Sequence, residues 1–278
     1  DLRGELKGAP DMARSLSRLA LGRGGPRDLG CLCQGLNSGL TLSRLLAKGD
    51  APLDGFPAEL AQACEALNPA LHPDLFAFRA GLEAGLGPDL PALVRDGGFV
   101  AAGVRPELDQ ARALRDDSRK VVVELEARLQ AESGVGVRIR HNAVLGYFLE
   151  ATAKQAEPLF QPPLNTHFIH RQTLANQVRF TTVELAELDA KIAQAGERAL
   201  AMELEIFEAW REQARGLAAG IQAAAEALAR LDVSASQAEW AEEHQAVRPE
   251  IDRSLAFEAE AARHPVVEAA VKRSGEPF

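Results

Sequence analysis

Two stretches of this chain place apolar residues at alternating steps of four and three, and that period restricts the fold more than any other feature. The first seam runs Val104, Leu108, Ala111, Arg115, Ser118, Val122, Leu125, Leu129, with polar interruptions at Arg115 and Ser118. The second runs Leu185, Leu188, Ile192, Ala195, Ala199, Met202, Ile206, Ala209. A 3.5-residue repeat marks a helix that lies along another helix. Each stretch is about 25 to 30 residues, which at 1.5 Å per residue gives roughly 40 Å of helix. A chain that leaves along one such helix and returns along the other packs them antiparallel. Whatever joins them is then carried at the far end of a two-helix arm.

The joining segment, residues 134–182, has a different character. "GVRIRHNAVLGYFLEAT" alternates apolar and polar residues with a period of two, the pattern of a half-buried strand. The strand candidates are "VRIRHNA", "LGYFLEAT", "THFIHRQTL" and "VRFTT". "HNAVLG" serves as the turn between the first two, with Asn142 and Gly146 tolerating unusual backbone angles. The segment holds Arg138, Arg140, Lys154, Arg171 and Arg179 against Glu150 and Glu157, a surplus of three positive charges in a chain of net charge −9, so the remainder carries −12. A basic tip on an acidic stalk attracts phosphate at its end and repels it along its length.

Each of these features has a plainer reading. Five positives in about fifty residues is close to ordinary usage. His167 and His170 could suggest a metal pair, but their odd separation puts them on opposite faces of a strand, with no convergent Cys or carboxylate. Tyr147, Phe148, Phe168 and Phe180 could stack on bases, yet at alternating spacing they serve to fill a small core. There is no nucleophile paired with a base and no G-x-x-x-x-G-K-[ST] loop. The sequence therefore offers no catalytic residue, metal ligand or cofactor of its own.

Elsewhere the chain reads as helix. It is 46% hydrophobic but only 5% aromatic, with Ala and Leu dominant. Residues 9–21 put Met12, Leu16, Leu19 and Ala20 on one face, with Asp11 as the cap. Pro26 suits the first turn of a second helix, which continues to Gly49. Residues 50–98 hold shorter helices broken by turns. Beyond the second seam, helices are expected over 219–231 and 234–246, and "SLAFEAEAARHPVVEA" reads as a strand and turn opening a further unit. No apolar run approaches a membrane span, and the N-terminus has no secretory segment. Cys31, Cys33 and Cys64 are too few for a zinc site and odd in number for a disulfide framework, so they read as buried free thiols of a reducing cytosol.

The segments "APDMARSLSRLALGRGGPRDL", "VRIRHNAVLGYFLEAT", "HFIHRQTLANQVRFTTVELAELDAKI", "ALARLDVSASQAEWAEEHQAVRPEI" and "ARHPVVE" occur in this order, and together they resemble the bacterial MutS family of DNA mismatch-recognition proteins along essentially the whole chain. The resemblance implies a mainly α fold: a helical core (1–104), an outgoing lever helix (105–133), a β-rich clamp (134–182), a returning lever with core helices (183–250) and the start of an ATPase domain (251–278). In such proteins a clamp-shaped homodimer encircles double-stranded DNA, mismatched or looped, and the levers link it to an ABC-type ATPase that uses ATP and Mg. The mismatch-reading domain would precede Asp1, and the Walker A loop would follow Phe278. A MutL-type repair partner and a cytoplasmic, nucleoid-associated location are also implied.

Carried over residue by residue, the resemblance gives DNA contacts at Asn142, Arg171, Gln172, Thr173, Asn176 and Arg179, with Arg138, Arg140 and His170 as further candidates. It gives Phe278 as a ring stacking on adenine in the longer protein. His170 and Ala175 stand where family members carry positives, and Ala153 stands where an Arg is common, with Lys154 adjacent. A different class of function fits the same pattern: a helical scaffold whose β-insert binds a protein partner.

Overall fold

A computed structural model describes residues 2–47, 57–142 and 144–275. The fold is mainly helical with one small antiparallel sheet. Contacts divide the chain into residues 1–236 and 237–278.

The first unit opens with the short helix α1 (Leu2–Lys7) and with α2 (Met12–Ala20), where the Asp11 side chain accepts from Arg14 N at 2.9 Å. Such a cap contributes about 1 kcal/mol. The buried face of α2 is Met12, Ser15, Leu16 and Leu19; Ala20, expected on that face, is exposed. Helix α3 (Pro26–Ala47) starts on its proline, and the expected stop at Gly49 lies outside the described residues. Helices α4 (Ala58–Ala66) and α5 (Pro73–Gly85) complete this body. Its core includes Leu19, Leu29, Leu32, Leu36, Leu82 and Phe99, none more than 1% exposed. Burying each such side chain contributes about 1.5–3 kcal/mol, before the entropy of ordering the chain is subtracted.

Cys33 and Cys64 are buried, Cys31 only half-buried. Burial pushes the Cys33 thiol up, and the nearby Glu83 carboxylate pushes it further, against a smaller lowering by Arg79. Burial also raises Cys64. Because the thiolate is the reactive form, Cys31 is expected to react with a thiol reagent at pH 8 at least about tenfold faster than either. Mass mapping of a timed labelling reaction checks this, and equal rates at all three sites would contradict the burial.

The long seams form α6 (Pro106–Ser133) and α8 (Val183–Gly216), which pack along each other. Pro106 occupies the first helical turn of α6, and Gly134 ends it in the left-handed region at φ +63°. Thr182 caps α8, its hydroxyl accepting from Leu185 N at 3.1 Å. The seams hold from Leu108 to Leu129 and from Leu185 to Met202. They end sooner than their spacing suggests: Val104 is exposed and precedes α6, while Ala209 is exposed and Phe207 takes the buried place beyond Met202. A straight 3.6-residue helix drifts from a 3.5 repeat, and the switch to Phe207 follows that drift.

The arm has two cores rather than one. Leu108, Ala111, Ala199, Met202 and Phe207 belong to the helical body. Val122, Leu125, Leu129, Leu185, Leu188 and Ile192 belong to a second cluster shared with the sheet. Between them the buried seam positions are Ser118 and Ala195, two small residues in neither cluster. The polar interruptions in the first seam therefore mark a thin waist.

The sheet has the order β1-β2-β4-β3, with β1 (Arg138–Asn142), β2 (Gly146–Thr152), β3 (Ile169–Thr173) and β4 (Gln177–Thr181) all antiparallel. A short α7 (Ala153–Ala156) follows β2. Leu149, Phe168, Val178 and Phe180 are buried beneath the sheet beside Leu159. Phe168 and Phe180 thus fill the insert's core, with Tyr147 half-buried at its margin, whereas Phe148 is buried outside that cluster, beneath the Arg179 guanidinium. His167 precedes β3, so the two histidines do not lie on opposite faces of one strand; the three-residue helical turn Leu164–Thr166 delays the start of the ladder.

After α8 comes α9 (Ala218–Glu243), a single helix where two were expected. No Gly or Pro interrupts "LARLDVSASQAEW", and a lone Ser or Asp does not break a helix already under way. In the second unit, Trp240 stacks on His244 with ring centroids 4.7 Å apart. Residues 254–264 form no strand. A strand needs a ladder partner, and the four described strands pair only with one another. Pro265 instead opens α10 (Pro265–Ser274). No described helix is long and apolar enough to cross a membrane.

Candidate nucleic-acid interface

The sheet's ends of β1 and β2 are joined by a turn that Asn142 organises. Its Oδ1 accepts from Val144 N at 2.9 Å and Leu145 N at 2.8 Å. Asn142 is therefore committed to its own backbone, leaving its amide nitrogen as the donor for a ligand. Gly146 then takes φ +67°, a region costly for any residue with a Cβ.

Across the sheet, Arg138 pairs in register with Glu150, Glu150 with Arg179, and Arg179 with Gln172. Cross-strand partners share a face, so these four form one polar row. Arg179 is bound into it. Its Nε lies 3.4 Å from Glu150 Oε2, its Nη1 donates to Gln172 Oε1 at 3.0 Å, and its guanidinium stands 4.6 Å over the Phe148 ring. With the side chain only 20% exposed, Arg179 supports the face more than it offers charge.

The charge that remains available is elsewhere. Arg138, Arg140, Lys154 and Arg171 are exposed, and their side chains carry no hydrogen bond or ion pair to any described residue. Arg138 and Arg140 lie two residues apart, hence on one face of β1, and line a groove of about 540 Å³ with Glu150, Gln155 and Gln177. Arg171 is the residue the β3–β4 register skips, with His170 opposite Phe180 and Gln172 opposite Arg179. A bulge leaves its extra residue outside the ladder and re-aims it. All of β3 is exposed.

The other candidates are partly engaged. The His170 ring packs on Phe160 and Phe180 at 5.5 and 5.9 Å, and its Nε2 lies 2.9 Å from Thr173 Oγ1. Asn176 sits in the β3–β4 turn, where its carbonyl accepts from Ala153 N at 3.3 Å. Phe278 lies outside the described residues. Among the described residues no cluster of His, Cys, Asp and Glu could hold a metal ion.

Three side chains that periodicity could not single out tie the hairpin to the arm. Glu126 Oε2 accepts from Ile139 N at 2.6 Å, Gln130 Nε2 donates to Val137 O at 2.6 Å, and Asp189 Oδ1 accepts from Tyr147 N at 3.3 Å. A fourth, Glu203, lies at the arm's base. Its carboxylate is 4% exposed, accepts from Gly98 N at 2.6 Å and Phe99 N at 3.3 Å, and meets Arg112 Nη2 at 2.7 Å. All four belong to acidic or amide positions that in sequence look like solvated helix faces.

A small sheet carried by two long antiparallel helices, with unpartnered arginines on its surface, defines a β-tipped helical arm on a helical body. Comparison with known proteins is specific. Residues 103–198 match MutS family domain IV. The whole chain is similar to proteins named "DNA mismatch repair protein MutS": 70% identical over 277 residues to those of a Caulobacter species and of Caulobacter vibrioides, covering 100% of this chain and 31% of each relative. For that of Nitrobacter hamburgensis the identity is 51% over 282 residues, covering 100% of this chain and 30% of the relative. Residues 103–198 thus carry MutS family domain IV, within a chain that is similar to MutS proteins along its whole length. It spans 31% of the length of the Caulobacter relatives it matches.

Proposed function

We propose that this chain supplies the duplex-gripping arm and part of the helical body of a DNA mismatch-repair protein. The observation that carries this reading is the set of four exposed cations whose side chains have no partner among the described residues, Arg138 and Arg140 on β1, Lys154 on α7 and Arg171 on β3, all within the span that matches MutS family domain IV. Such groups neutralise phosphates and fix a protein on the duplex without reading bases. That suits a protein that must scan any sequence. In the longer protein we place ATP and Mg in a separate ATPase domain, duplex binding in a homodimer, a MutL-type protein as a later partner, and the whole in the cytoplasm at the nucleoid. This chain, which has no phosphate-cradling Gly-rich loop, is expected to show no ATP turnover above a contaminant control.

A salt titration of duplex binding tests the reading, because phosphate neutralisation gives a steep logarithmic slope. Arg171→Ala is expected to weaken binding by the same factor for matched and mismatched duplexes and to flatten that slope by about one unit. Arg179→Ala is expected to flatten it less, since its charge is already held by Glu150. Binding that ignores salt would favour the protein-partner scaffold instead. A loss confined to mismatched DNA would mean that Arg171 reads the lesion.

A further inference from the structure

The β1–β2 hairpin carries Arg138 and Arg140, yet β1 is an edge strand with only β2 beside it. Such a strand has backbone N–H groups pointing off the sheet, and nothing in a ladder fixes its angle. Here those groups meet side chains from the arm. Glu126, on α6, takes Ile139 N, and Gln130, one turn further on the same helix, donates to Val137 O. Asp189, on α8, takes Tyr147 N, which lies beyond the register of β2 with β4. Asp189 also crowds Gly146 so closely that a Cβ there would run into its carboxylate. The hairpin is thus fastened to both long helices, at opposite ends of its turn.

We propose that Glu126 and Asp189 are positioning residues for the phosphate contacts of Arg138 and Arg140, a role that rests on the duplex-binding reading above. Neither carboxylate lies within ion-pair distance of either arginine, so they act through the hairpin backbone and not by neutralising charge. Because one hydrogen bond comes from α6 and the other from α8, any slide of one helix along the other tilts the hairpin and moves both guanidinium groups together.

The sign of the effect separates positioning from simple charge. Deleting an acidic side chain near DNA should tighten binding, since it removes repulsion. Glu126→Ala and Asp189→Ala are instead expected to weaken duplex binding by about five- to tenfold, the equivalent of one lost hydrogen bond expressed as an affinity ratio. Glu126→Gln and Asp189→Asn keep an acceptor oxygen and should stay within about twofold of the parent. Glu124→Ala, an exposed carboxylate on the same helix, serves as the charge control and should bind equally or more tightly. In an Arg138→Ala, Arg140→Ala background, Glu126→Ala should have no further effect, because the groups it positions are gone; a purely structural loss would persist there. Amide exchange of Ile139 and Tyr147, measured without DNA, should speed up in the Ala variants and not in the amide variants. Ala variants that bind as tightly as the parent, or unchanged exchange at both amides, overturn the proposal. If the parent chain shows no salt-dependent duplex binding, the duplex reading fails, and with it the role in DNA contact; the exchange measurement still decides whether the carboxylates hold the hairpin.

Discussion

Glu203→Ala is expected to destabilise the helical body by about 3–5 kcal/mol, the cost of breaking a buried ion pair by removing one partner. Three groups lose their acceptor at once: the Arg112 guanidinium and the N–H groups of Gly98 and Phe99. Gly97 and Gly98 both have positive φ, and this turn brings two successive N–H groups onto one carboxylate. Arg112 also donates to Val100 O at 3.0 Å, so the loop, α6 and α8 meet at a single acid. Glu203→Gln retains one acceptor oxygen and should cost about 1–2 kcal/mol. Urea titration reads both, as a fall in midpoint with little change in slope. Exposed pairs such as Arg105–Glu205 offer the contrast: breaking that one should leave the urea midpoint almost unchanged, since solvent and salt screen it. If Glu203→Ala costs no more than that, water replaces the lost partner, and the acid does not hold the arm's base together.

Glu203 also shows where sequence reasoning stops. The helix, the seam and the insert follow from spacing, because apolar periodicity registers which face is buried. Asn142 and Gly146 announce their turn through backbone chemistry. Strand order does not follow, since any of several pairings satisfies the same alternation; β4 between β2 and β3 is settled by packing. The bulge at Arg171 is likewise invisible, as it depends on a partner strand some distance away. Glu203, Glu126 and Asp189 are acids on long acidic helices, and their difference from the solvated ones lies only in which N–H each meets. Arg179 is a case in the other direction. Its type and position suggested a free cation, whereas Glu150 and Phe148, placed beside it by two strand pairings, hold it in the sheet. The expected strand near residue 257 failed for the same reason of distance: alternation supplies a face, but the ladder must come from elsewhere.

The second core predicts the opposite distribution of damage. Ile192 is 6% exposed and shares its cluster with Val122, Leu125 and Leu188. Ile192→Ala removes buried methyl groups at a cost of about 2–5 kcal/mol. The lower end is expected, because Ile192 also borders an open groove of about 450 Å³ lined by Tyr147, Arg115 and Gly196, into which water can follow the lost side chain. The waist at Ser118 and Ala195 contributes little apolar contact, so the outer arm can loosen without the body. Hydrogen exchange should therefore accelerate in residues 120–135, in 183–195 and in the sheet, while α2 and α3 stay protected. Glu203→Ala should do the reverse, loosening residues 97–112 and 199–207 first and leaving the sheet's amides slow. Duplex binding separates the two again. Ile192 is an uncharged member of the apolar cluster, yet its loss should weaken binding by letting the sheet move relative to α6 and α8, and the weakening should be equal for matched and mismatched DNA. If either substitution speeds exchange evenly along the whole arm, α6 and α8 behave as one rod and the waist is not a point of independent motion.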